Sequence, residues 1–247
     1  MRLVTTDAIV LRSYNLAESD RIVVCLTRDS GLVRAVAKGA RRMKSRFGAA
    51  LEPFTLIKLS FHERENRDLV TMSAAEILKS HFNLSSNFDS AEVLAYMGEL
   101  VTEFAPPHET DERLYRMLTA CVEALAQETG HERALTRYFE IWLLRLAGLF
   151  PDFRICASCG TSVDPKAGAS VDVELRFFCG KCAPVNASAL STQTIEIVRA
   201  THQLSPGNFA AQHSLSERQY AEIGDLTHRL IVRAIERRPR TLVASSR

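Results

Sequence analysis

The chain of 247 residues contains no apolar run of the roughly 18 residues that a membrane-spanning helix needs. Its opening, MRLVTTDAIVLRSY, lacks the long apolar stretch of a secretory signal, so the sequence reads as cytoplasmic, with no membrane partner. There is no Gly-rich phosphate loop of the GxxxxGK[ST] form, no GxSxG elbow and no HExxH helix. The seven histidines are scattered from His62 to His228, and no spacing pairs one with a nucleophile. These gaps remove the common marks of an NTPase, an α/β-hydrolase or a zinc protease, and the chain reads as a non-enzyme. Internal repeats and low-complexity tracts are also missing.

One absence is local. No Asp or Glu lies between Ser30 and Leu51. That span contains KGARRMKSRF, where Lys38, Arg41, Arg42, Lys44 and Arg46 set five positive charges in nine positions. The overall net charge is only +2, but it is segregated: +5 over residues 1–80, −6 over 81–155 and +3 over 156–247. A local cationic field attracts polyanions whatever the total charge. The bland alternative is a solvated basic loop. The missing acids favour a phosphate-binding role, with salt-sensitive affinity and little sequence preference.

Period-two alternation predicts five strands in the first 80 residues: Thr6–Ser13, Arg21–Thr27, Leu32–Lys38, Phe54–His62 and Leu69–Ala75. Ile22, Val24 and Leu26 share one predicted face, as do Ile57, Leu59 and Phe61. RDSG (28–31) and ERENRD (63–68) supply turns. Five short strands suffice to close a small barrel, whose loops and faces commonly bind oligonucleotides. The basic run then falls in the loop between the third and fourth strands. Phe47 and Tyr14 are aromatic candidates beside it, for base stacking or for core packing.

After residue 80 the apolar period becomes helical. Leu94, Met97, Val101 and Phe104 form one stripe, stopped by Pro106 and Pro107. Leu114, Leu118, Cys121, Val122 and Leu125 form a second, with Thr110 as the predicted cap. Leu135, Phe139, Trp142, Leu143 and Leu146 form a third, ended by Gly148 and Pro151. Ser216 and Gln219 read as a capping box for a last helix that buries Tyr220, Ile223, Thr227, Leu230, Ile231 and Ala234. Its other side shows Arg229, Arg233 and Arg237, an auxiliary anion-binding stripe or simply cations near a helix C-terminus. The domain boundary is placed between Ala75 and Asp89.

The most specific local pattern is Cys156-x2-Cys159, then Cys179-x2-Cys182 after a 19-residue spacer. Two such turns aim four thiolates at one ion, with Gly160 and Gly180 giving backbone freedom and Val171–Phe178 read as a strand between them. A reducing compartment disfavours disulfides, and no βαβ pattern frames a redox pair. The reading is one structural Zn2+, because four cysteine ligands leave no position for water. Cys25 and Cys121 lie on apolar patterns and read as buried hydrophobes.

The fold class is therefore α+β and multidomain: a five-stranded barrel, then a mostly helical domain with a four-cysteine insertion at about residues 153–186. The stretches TDAIVLRSYNLAESDRIVVCLT and GLVRAVAKGARRMKSRFGAALEPF, followed by helices with a CxxCG…CxxC insertion, resemble the bacterial RecO family of DNA-repair proteins over essentially the whole chain. The resemblance implies an OB-fold at residues 1–80 and a helical domain at 81–247. It implies a recombination mediator that binds single- and double-stranded DNA and anneals strands. It also implies work with RecR, contact with the tail of single-strand-binding protein, and help for RecA in loading onto coated DNA. The Lys38–Arg46 cluster carries over as the DNA-binding part. A different class stays open: a zinc-stabilised protein–protein adaptor whose basic loop is incidental.

Overall fold

Alternating apolar residues build five strands before residue 80 in the computed structural model, which describes residues 2–63, 69–106 and 109–241. They are β1 (Arg2–Leu16), β2 (Asp20–Thr27), β3 (Leu32–Ala37), β4 (Leu56–Glu63) and β5 (Leu69–Lys79). Most of the predicted turn at 63–68, and Pro107, lie outside the described residues. Each strand has two hydrogen-bonded neighbours, in the order β1-β2-β3-β5-β4, with β4 returning to β1 to close the barrel. All pairings are antiparallel except β3 with β5.

Packing divides the described residues into two compact units. One takes residues 2–127 with 239–241, and the other is Glu128–Arg238. In the first, the barrel interior is filled by Val10, Val23, Cys25, Ala35, Ile57, Leu59, Phe61 and Met72. Ile57, Leu59 and Phe61, predicted to share one face of β4, share the inward one. On β2, Val23 and Cys25 fill the interior, whereas Val24 and Leu26, which share the opposite face, are buried on the outside of the barrel. A strand covered on both sides reads as a continuous apolar run, VVCL, and alternation has nothing to discriminate.

Helices α1 (Phe88–Phe104) and α2 (Glu112–Gln127) complete this unit. Asn87 caps α1 by accepting the Ser90 N–H at 3.1 Å. Gly98 lets α1 lie against the barrel: a Cβ there would stand 3.2 Å from Phe54 Cζ and 3.6 Å from the Leu11 carbonyl. The cap of α2 is Asp111, which accepts the Leu114 N–H at 3.0 Å. Thr110, the predicted cap, instead donates to the Asp29 carbonyl at 3.1 Å.

The second unit holds α3 (Glu132–Leu146), α4 (Thr192–Gln203), α5 (Pro206–Gln212) and α6 (Glu217–Ile235). Leu135, Phe139 and Leu143 of α3 are buried, and Trp142 is half-buried with its Nε1–H donating to the Thr201 carbonyl at 2.7 Å. The capping box of Ser216 and Gln219 is present on α6. Ala234, predicted on the buried face, is exposed because the last turn of α6 extends beyond the apolar stripe. A buried ion pair within α3 is joined to α6 through Thr227. Arg137 Nη1 donates to Glu140 at 2.8 and 2.6 Å, and Glu140 Oε2 also accepts the Thr227 hydroxyl at 2.7 Å. Gly224 makes room for the guanidinium, since a Cβ there would sit 2.3 Å from Arg137 Nη2.

Three short strands, β6 (Ala169–Val171), β7 (Phe177–Cys179) and β8 (Ser188–Leu190), form a sheet in the order β7-β6-β8. The predicted single strand from Val171 to Phe178 is thus a hairpin. Asp172 Oδ1 accepts the Glu174 and Arg176 N–H groups at 3.0 and 2.9 Å and bends the chain there. Among the described residues, no helix is long and apolar enough to cross a membrane.

Candidate nucleic-acid interface and metal centre

The loop after β3 is ordered by its own backbone. Ala40 N–H donates to Ala37 O at 3.3 Å, Arg42 N–H to Gly39 O at 3.1 Å, and Ser45 N–H to Arg42 O at 2.9 Å. Two further bonds fix it to the β1–β2 hairpin: Arg41 N–H to Ser19 O, and Arg41 Nη1 to Ala17 O, both at 3.0 Å. Gly39, with φ of +71°, donates its N–H to Asp20 Oδ1 at 2.8 Å. That bond is the main cause holding the Asp20 pKa below the usual carboxylate value; the Ser19 hydroxyl and the charges of Lys38 and Arg42 add to it.

Asp20 is thus an acid facing the cluster that the sequence window around the loop omits. It reaches the loop across a hairpin, 18 residues before Lys38 in the chain. Glu52, the flanking acid in sequence, lies 3.7 Å from Arg21 instead. Lys38, Arg41, Arg42, Lys44 and Arg46 are all exposed. Among the described residues none of the five forms an ion pair. Phe47 is only 3% exposed, lodged in the barrel core with Arg46 over its ring at 4.9 Å, so it presents no face to a base. Tyr14 is 45% exposed.

The second stripe is less regular than its spacing. Arg229 pairs with Asp225 at 3.0 Å, and Arg233 is exposed. Arg237 is not on the helix: α6 ends at Ile235, Glu236 turns left-handed at φ 56°, and Arg237 Nη1 donates to the Arg238 carbonyl at 3.1 Å.

The four cysteines of the insertion come together. Their sulfurs all lie within 4.8 Å of one another, with Cys159 and Cys179 at 4.0 Å. A tetrahedral ion with bonds near 2.3 Å sets its sulfurs about 3.8 Å apart, so the cluster fits such an ion. The first turn is closed by Gly160 N–H donating to Cys156 O at 3.0 Å, with Gly160 at φ +69°. The second is closed by Cys182 N–H donating to Cys179 O at 3.0 Å. Gly180 serves differently from the prediction. Its φ is ordinary, but a Cβ there would meet the Ala167 carbonyl at 2.5 Å.

Backbone N–H groups of Cys159 and Cys179 lead in lowering the Cys156 thiol to about 6, which favours the thiolate a metal needs. The neighbouring thiols of Cys179 and Cys159 push Cys182 up to about 12, as expected when several sulfurs share a site that a cation would neutralise. Burial pushes the Cys25 and Cys121 thiols up, in keeping with their apolar surroundings. The knuckles are braced from below. Phe153 stacks on Phe177 at 4.6 Å, and Arg199 Nη2 donates to the Phe153 and Val163 carbonyls, each at 2.8 Å.

Two family models match the chain in succession: Recombination protein O N terminal over residues 1–81 and Recombination protein O C terminal over 86–242. Proteins named DNA repair protein RecO are similar to it. That of Koribacter versatilis is 32% identical over 162 residues, 66% of each chain. That of Anaeromyxobacter sp. strain K is 36% identical over 185 residues, 74% of this chain and 72% of the relative. That of Anaeromyxobacter sp. strain Fw109-5 is 32% identical over 203 residues, 82% of this chain and 79% of the relative. These matches put the chain among proteins of DNA repair and recombination. It belongs to the RecO family.

Proposed function

We propose that the chain is a non-catalytic recombination mediator that grips DNA through the loop Lys38–Arg46. In this reading the barrel, residues 1–80, is an OB-fold. Residues 81–247 form a helical domain stabilised by one structural zinc ion on Cys156, Cys159, Cys179 and Cys182. The carrying observation is the loop itself: five exposed cations without ion-pair partners among the described residues, on a turn tied to a barrel hairpin. Such a scaffold neutralises phosphates and releases counterions without reading sequence. Both single- and double-stranded DNA are then ligands, and strand annealing follows from holding backbones while leaving base edges free. Family membership supports the remaining steps: partnership with RecR, contact with the single-strand-binding protein tail, and loading of RecA in the bacterial cytoplasm. In this reading Arg229, Arg233 and Arg237 are an auxiliary anion-binding stripe of the second unit.

The test is binding of labelled single-stranded DNA across a salt series. Replacing Arg41, Arg42 and Lys44 by Ala should weaken binding and flatten the log–log salt slope by about 0.7 per lost phosphate contact. Unchanged affinity and slope would remove the loop from the site. Undetectable binding by the wild type at moderate salt would favour the adaptor reading.

A further inference from the structure

Met43 sits where a side chain of its kind has no stabilising surroundings. It is fully exposed, at 105% of its reference accessibility. It is flanked in sequence by Arg41, Arg42 and Lys44. The Ser45 N–H to Arg42 carbonyl bond makes Met43 and Lys44 the two central residues of a turn, so Met43 is at the tip of the cationic loop. The loop beneath is pinned by Asp20 and by the two bonds of Arg41 to the hairpin. The tip is therefore presented rather than buried. Val185 is comparably exposed, but APVNA around it carries no charge, so nothing there would bring a polyanion to it.

We propose that Met43 is a base-contacting wedge: as the flanking cations hold successive phosphates, its thioether packs against a base and parts it from its neighbour. This rests on the reading of Lys38–Arg46 as the DNA site and adds to it a residue that touches bases rather than phosphates. The chemistry fits in two ways. Apolar side chains, Met among them, insert between base steps in proteins that deform nucleic acid. Methionine is also unbranched and polarizable, so one side chain accommodates any base. The contact is apolar and sequence-tolerant, as phosphate binding is. Its consequence would be a strand held with its bases unstacked, which is the state that a complementary strand must meet in order to pair.

The experiment uses the full-length protein and an oligonucleotide carrying one 2-aminopurine, whose fluorescence rises when neighbouring bases unstack. Wild type should raise the signal on binding. Met43→Ala should bind roughly five- to tenfold more weakly, the loss expected for an apolar contact of this size, and should lose most of the fluorescence rise while keeping the salt slope. Met43→Leu should restore the rise. The side chain touches nothing that folding depends on, so both variants should fold, which circular dichroism checks. A Met43→Ala protein with wild-type affinity and fluorescence overturns the wedge while leaving the phosphate site standing. A wild type that binds no DNA overturns the functional reading instead.

Discussion

The Asp20 carboxylate accepts the Gly39 N–H at 2.8 Å and so anchors a loop of cations by means of an anion. One acid is placed where it orders the backbone without pairing to any of the five side chains. Replacing Asp20 by Ala should speed hydrogen exchange at the Gly39 amide, whereas Asn, which keeps an acceptor, should leave it slower than in the Ala variant. The Asp20 pKa is lowered in the fold. Its contribution is therefore complete above the ordinary carboxylate value of about 3.9 and disappears as pH falls through the lower folded value. Amide exchange in the loop should be flat from neutral pH to about 4 after correction for intrinsic rates, and should rise only below that. Equal protection of Gly39 in Asp20→Ala and wild type would show that the anchor is not used.

Gly224 is fixed by its neighbour. Gly224→Ala would press a methyl group into the Arg137 guanidinium, 2.3 Å away, and disturb the pair with Glu140. A loss of about 1–3 kcal/mol is expected, read as a lower denaturant midpoint. Wild-type stability for this variant would mean that the guanidinium has room to move.

The cysteine cluster should retain one zinc per chain, with all four sulfurs as ligands in the spectrum of a cobalt-substituted sample. Gly180→Ala should reduce metal retention under chelator challenge, because the second turn cannot approach the Ala167 carbonyl at its present distance. Cys159→Ser should do the same by removing a ligand. A water ligand in the cobalt spectrum would refute the closed site.

Capping separates two adjacent residues. Asp111→Ala should cost about 1 kcal/mol through loss of the bond to the Leu114 N–H. Thr110→Val should cost less, since its hydroxyl reaches only the Asp29 carbonyl. Thermal melts of the two variants side by side decide which residue starts the helix.

How far the fold could be read in advance depended on whether the relevant signal was local. The five strands, the helical stripes, the Ser216 capping box and the four cysteines were legible because alternation, 3.6-residue period and Cys-x2-Cys spacing each extend over a few residues. Which face of β2 points inward was not legible, because a strand buried on both faces, as Val23 to Leu26 are, carries no alternation. The hairpin at Asp172 was hidden because its turn is made by a side chain, inside a run that otherwise reads as extended. Glu140 with Thr227, and Asp20 with Gly39, join elements far apart in sequence, and no window shows them. The helices α4 and α5 went unread although Ser191 and Ser205 cap them.

The parallel edge of the barrel registers only from Arg34–Val36 against Leu69–Thr71, while β1 and β4 run together from Arg2 to Ile9. The ring thus has one thin seam, made of the slightly weaker kind of strand pairing. Thermal breathing should begin there, parting β5 from β3 while β3, the strand that leads directly into Lys38, stays paired with β2 from Leu32 to Ala37.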